Sequence, residues 1–162
     1  LQIVEQIAAF DCDLVELTGG EPLLQADTPI FVDMLLEKGY QVLMETNGSL
    51  DIGRTRPECI KIIDIKCPDS GEAGQCDLRN LQRMSPSDQI KFVTTSRDDY
   101  IYAKSIMKRI PQHIPSGNIL FSPVSELLPP RELAGWILAD GLKARLQLQL
   151  HKVLWPDIEK GV

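Results

Sequence analysis

The residues best suited to chemistry form one short string, Thr18-Gly19-Gly20-Glu21-Pro22, placed directly after the apolar run of residues 14–17. Adjacent glycines leave the main chain bare, so a ligand can approach its N–H and C=O groups. Glu21 adds one fixed negative charge beside that backbone. A carboxylate next to exposed peptide groups suits an ammonium, such as the amino end of an amino-acid-like cofactor. Other polar residues recur in the same position relative to apolar runs: Asn47, Lys66, Ser122 and His151. Taken alone, Gly-Gly also fits an ordinary strand-to-helix turn, and Asn47-Gly48 fits a hairpin turn.

The elements that must position these residues alternate along the chain. Residues 14–17, 40–45, 60–65, 89–94, 118–121 and 145–150 read as strands. Residues 2–10, 29–37, 77–84, 97–109 and 131–142 read as helices, the second with Thr28 as its N-cap and Gly39 as its stop. One strand and one helix signal roughly every 20–30 residues means parallel strands with covering helices. Thr18, Glu21, Asn47, Lys66, Ser122 and His151 then all fall at C-terminal strand ends, which in a barrel-like sheet form one face. The expected fold is α/β, an open partial (β/α) barrel of mostly parallel strands.

A chain of 162 residues with 43% hydrophobic and 25% charged residues reads as a single domain, 1–162, with a real core. A net charge of −6 argues against a nucleic-acid groove. No apolar run approaches the roughly 18 residues a membrane helix needs, and no secretory leader is visible, so a cytoplasmic location is the default. Cys12, Cys59, Cys67 and Cys76 form no Cys-x-x-Cys pair and read as small, mostly buried hydrophobes. A metal site from Cys59, Cys67 and Cys76 matches no common spacing. Trp136 and Trp155 read as packing residues, Lys91 and Arg145 as surface charges. The chain starts at Leu1, inside a helical pattern, and is expected to be a fragment lacking an N-terminal part.

The Thr-Gly-Gly-Glu-Pro string after a buried strand resembles the S-adenosylmethionine (SAM) turn of radical SAM enzymes. Three further strings narrow the resemblance: Glu45-Thr46-Asn47-Gly48-Ser49, Asp64-Ile65-Lys66-Cys67-Pro68, and residues 147–156. Together they look like the 7-carboxy-7-deazaguanine synthases of 7-deazapurine (queuosine-type) biosynthesis. The resemblance implies a radical ring contraction of 6-carboxy-5,6,7,8-tetrahydropterin with loss of ammonia. It implies SAM, a [4Fe–4S] cluster and Mg²⁺ as cofactors, an external electron donor, a homodimer, and no nucleic-acid or membrane partner. It assigns Thr18 and His151 to the substrate. To SAM it assigns Gly19, Gly20, Glu21, Glu45, Asn47, Asp64, Ile65, Lys66, Ser122, Pro123, Val124 and Ser125.

The sequence departs from the family pattern at several points. Many relatives carry Ser where Asp64 stands and Gln where Ser122 stands. The Cys-x-x-x-Cys-x-x-Cys cluster motif is absent, so the resemblance implies that the first barrel strand and cluster loop are missing, that residues 14–17 form a sheet edge, and that this piece alone is inactive. It places no catalytic residue and no metal ligand in this chain. In some relatives the terminal carboxylate binds substrate; here the chain runs on to Val162. Asp64 and Lys66 also read as a solvated pair at a strand end, and His151 as a structural histidine. Two other functions fit the glycine turn: another radical SAM enzyme, such as an activase of a glycyl-radical partner, and a cluster-free α/β protein binding a nucleoside or amino acid.

Overall fold

A computed structural model describes residues 2–155, 157 and 158. Six strands form one sheet: β1 (Leu14–Leu17), β2 (Gln41–Thr46), β3 (Ile60–Lys66), β4 (Gln89–Thr94), β5 (Ile119–Pro123) and β6 (Arg145–Leu146). They lie in sequence order, and every pairing is parallel. An order without reversal sends every crossover over the same face, as in a (β/α) barrel. Among the described residues β1 and β6 have one partner each, so the sheet is open there and β1 lies at its edge, as expected.

Helices α2 (Thr28–Glu37), α3 (Arg97–Met107) and α4 (Pro130–Ala139) join β1 to β2, β4 to β5 and β5 to β6. The strands turn Val42, Met44, Ile63, Ile65, Ile90, Phe92 and Phe121 into a closed apolar layer with Leu35, Tyr100, Ala103 and Leu133 of these helices. Side chains alternate along a strand, so the intervening residues face the other way. On β1 to β5 those residues include Glu16, Glu45, Asp64, Lys66, Lys91 and Ser122. Parallel strands in α/β proteins are ordinarily apolar on both faces. A face this rich in charge is a candidate site wall.

Several local expectations are corrected. The first helix, α1, spans only Gln2–Ile7, and of its expected apolar face Ile3 and Phe10 are 59% and 72% exposed while Val4 is buried. Asp27, not Thr28, precedes α2. The Thr28 hydroxyl instead donates to the Pro22 carbonyl at 2.6 Å. Residues 77–84 contribute a 3₁₀ turn, Leu78–Gln82, not an α-helix. The last strand stops at Leu146, and residues 150–154 form a short helix, α5, so His151 sits on a helix and not at a strand end. Trp155 is 46% exposed, unlike Trp136, which packs on the core. No helix among the described residues is long and apolar enough to cross a membrane.

Cys59 and Cys67 are fully buried, as expected, and Cys76 is half-buried, whereas Cys12 is exposed. Burial pushes the Cys59 thiol to about 11 and the Cys67 thiol to about 12. Both thiols hold their protons more tightly folded than unfolded. Their contribution to stability is therefore intact below about pH 8.5 and is lost as pH rises toward the folded values. Alkylation of the native protein near pH 8 is expected to label Cys12 and spare Cys59 and Cys67 until denaturant is added. Equal labelling rates at Cys12 and Cys67, read by mass spectrometry, would contradict this core.

Candidate functional site

The turn after β1 owes its shape to two left-handed glycines and one buried carboxylate. Gly19 and Gly20 have φ of +98° and +58°, values that L side chains rarely adopt. A Cβ placed on either would meet nothing within 4 Å, so their backbone faces open space. Glu21 is 7% exposed. Its Oε1 accepts from the Leu23 N–H at 3.0 Å, capping the following turn. Its Oε2 accepts from the Thr46 hydroxyl and the Asn47 N–H, both at 2.8 Å. The carboxylate therefore ties the β1 turn to the end of β2. Arg54 adds a second brace, donating to the Leu23 carbonyl at 2.6 Å.

Two adjoining cavities open on the charged face of the sheet. The first, about 490 Å³, is lined by Gly19, Gly20, Glu21, Asn47, Asp64 and Lys66 among others. The second, about 420 Å³, is lined by Glu16, Lys91, Ser122, Gln149 and His151 among others. Thr18 and Glu45 line both and so form the wall between them. Gly20, Asn47, Lys66 and Ser122 all line this pair of cavities. The first three share a cavity, and Ser122, two strands from β3 by way of β4, lines the other.

Ionic contacts order this face. Lys66 Nζ meets Asp64 Oδ2 at 2.8 Å, and Lys91 Nζ meets Glu45 Oε1 at 2.6 Å. Thr18 donates its hydroxyl to Glu45 Oε2 at 3.2 Å. Burial alone would lower the Lys66 ammonium, but the hydrogen bond and charge of Asp64, with Glu72 and Glu45, raise it. Glu16 is raised by desolvation and by the Glu45 charge, against a smaller opposing pull from Lys91. Asp64 Oδ1 is buried without a hydrogen-bond partner among the described residues.

The remaining expected residues divide by face. The Ile65 side chain is 1% exposed in the helix-covered core, and Pro123 is buried in β5, so either could reach a ligand only through backbone. Val124 donates its N–H to the Thr94 carbonyl at 3.0 Å, and Ser125 is exposed beyond it. His151 reaches the second cavity from α5. Lys91 overturns its reading as a surface charge, since its side chain is 16% exposed and its ammonium lies at the cavity wall. Glu16 also escaped notice. The signal for both was present: a charge at period two within a parallel strand, beside residues that pack in the core.

The open glycine backbone and the unpartnered Asp64 oxygen fit a cofactor that presents both donors and acceptors, as SAM does. The thiols do not fit an iron–sulfur cluster. Cys59 and Cys67 lie in the core with raised pKa values, and among the described residues no three His, Cys, Asp or Glu side chains group to hold a metal.

An open, all-parallel (β/α) sheet with a bare glycine turn at its strand ends is the framework of a radical SAM enzyme. A scan against protein-family models finds no match. Curated proteins do match. The 7-carboxy-7-deazaguanine synthase of Koribacter versatilis is 39% identical, covering 92% of this chain and 72% of its own length. That of Chlorobaculum tepidum is 40% identical, covering 99% and 74%. That of Methanospirillum hungatei is 37% identical, covering 85% and 57%. The chain belongs to the 7-carboxy-7-deazaguanine synthase family.

If Glu21 is the internal brace described, its removal weakens the fold itself. Glu21→Gln turns an amide NH₂ toward donors that now meet an oxygen, and should cost roughly 1–3 kcal/mol. Glu21→Ala should cost at least as much. Urea unfolding measures both, and an unchanged midpoint in the two variants would leave Glu21 without a bracing role.

Proposed function

We propose that the intact protein converts 6-carboxy-5,6,7,8-tetrahydropterin to 7-carboxy-7-deazaguanine, with loss of ammonia, in 7-deazapurine biosynthesis. The observation that carries this reading is the pair of adjoining cavities that share Thr18 and Glu45 at the strand ends. A radical reaction needs cofactor and substrate side by side, and two cavities with a common wall fit that arrangement. SAM, when bound, would supply the radical chemistry that the reaction needs, and the residues lining the glycine cavity would hold it.

The residues of this chain bind, orient and shield. Gly19 and Gly20 offer backbone groups to the methionyl end of SAM, with the Glu21 charge close behind them. Asn47, Asp64 and Lys66 line the same cavity, where the buried Asp64 Oδ1 is a ready acceptor. The Ile65 backbone and the segment Ser122 to Ser125, through Pro123 and Val124, complete the cofactor's surroundings. Thr18 and His151 face the pterin in the second cavity. The buried Gln149 Oε1, which lacks a partner among the described residues, is a further acceptor there. Glu45 stands between the two ligands. The protein acts as one domain, as a homodimer with an external electron donor and Mg²⁺, and the described thiols contribute no cluster ligand. The whole reading predicts that this polypeptide alone does not assemble a [4Fe–4S] cluster and is inactive.

Anaerobic assay of the intact, cluster-loaded protein tests the reading. Conversion of the tetrahydropterin to 7-carboxy-7-deazaguanine, lost in Gly20→Val, is the expected result. Activation of a glycyl-radical protein in place of pterin turnover would favour the other radical SAM reading. Binding of a nucleoside or amino acid by a protein that takes up no iron would favour the cluster-free one.

A further inference from the structure

The bridge between Glu45 and Lys91 does not join neighbouring strands. Glu45 is in register with Ile62, and Lys91 with Asp64, both on the intervening strand β3. The two side chains therefore reach toward each other across two strand spacings of about 4.8 Å each. They close at 2.6 Å, and Ile62 beneath is 8% exposed. Long side chains held in one extended geometry carry an entropic cost. Here the reach places one carboxylate at a particular point, the wall between the two cavities. Each Glu45 oxygen then has a donor: Lys91 on Oε1 and the Thr18 hydroxyl on Oε2. The Lys91 ammonium makes no other hydrogen bond among the described residues, so it is committed to this carboxylate.

We propose that Lys91 is a positioning residue for the pterin cavity. Its ammonium holds Glu45 in one rotamer, so that the carboxylate's remaining lone pairs are presented to the N–H donors of a fused nitrogen heterocycle. Lys91 acts on the ligand through Glu45 and does not line the glycine cavity. Glu16, on the same face and lining the same cavity, is the second acceptor of the floor. Without Lys91, Glu45 would lose the donor on its Oε1 and would be free to turn away from the wall. The inference rests on the proposed substrate for its ligand, and on geometry alone for the bridge.

Two measurements on the intact protein separate these parts. In ¹⁵N NMR of the lysine ammonium groups, Lys91 should give a slowly exchanging signal in the unsubstituted protein that disappears in Glu45→Gln. A missing Lys91 signal in the unsubstituted protein overturns the bridge whatever the ligand. Calorimetry then compares the tetrahydropterin with SAM. Lys91→Met should weaken the tetrahydropterin about tenfold or more, the effect of losing one charge-assisted contact, and should change SAM affinity far less. Lys91→Arg should recover much of the loss. The double variant Lys91→Met/Glu45→Gln should bind no more weakly than Glu45→Gln alone, because one residue acts through the other. Additive losses, or equal losses for the two ligands, overturn the positioning role. Failure of the unsubstituted protein to bind the tetrahydropterin, with the NMR signal intact, overturns the substrate reading and leaves the bridge standing.

Discussion

Three donors from two separate elements converge on the carboxylate of Glu21 and remove it almost entirely from water. Hydrogen bonds to a charged group contribute about 1.5–3 kcal/mol each, and a buried carboxylate left without them would be costly. This interaction fixes the path of the chain where β1 ends and where β2 ends. The two glycines can then hold left-handed conformations with their backbone open, because the turn they belong to is anchored just behind them. The glycine cavity depends on that anchor, and so does the Thr18 hydroxyl that sits at its wall.

A second constraint acts across the sheet. The sequential strand order puts the helices on one face and leaves the other to be lined by whatever alternates with the core residues. In this chain those residues are charged, and they are arranged as pairs: Asp64 with Lys66 along one strand, Glu45 with Lys91 over one strand. Pairing lets half-buried charges coexist in a low-dielectric wall. It also divides the face, since the Glu45 contacts with Thr18 and Lys91 mark the boundary between the two cavities.

Much of this was legible in the sequence, for identifiable reasons. The apolar runs with β-branched residues gave β2, β3 and β4 to within a residue or so, and the glycine turn announced a ligand-facing strand end. β1 lies at the sheet edge, as the resemblance implied. What failed were inferences from local pattern where tertiary packing decides. Residues 145–150 alternate like a strand, yet only Arg145 and Leu146 find a partner beside β5, and the chain then turns into α5. Ile3, Ile7 and Phe10 recur near helical spacing, yet only Ile7 packs on the core, and Ile3 and Phe10 are exposed. Lys91 looked like a surface charge because composition cannot say which face of a parallel strand borders a cavity. Glu21 lines the glycine cavity, and its oxygens also brace the turn, a task that no spacing rule reveals.

The central claim is that the charged face carries two adjoining ligand sites that meet at Thr18 and Glu45. Amide chemical-shift mapping on the intact, isotopically labelled protein tests it most directly. SAM should perturb Gly19, Gly20, Asn47 and Lys66; the tetrahydropterin should perturb Lys91, Ser122 and His151; both should perturb Thr18 and Glu45. Perturbations confined to α2, α3 and α4, or two ligands with no residue in common, would contradict the account.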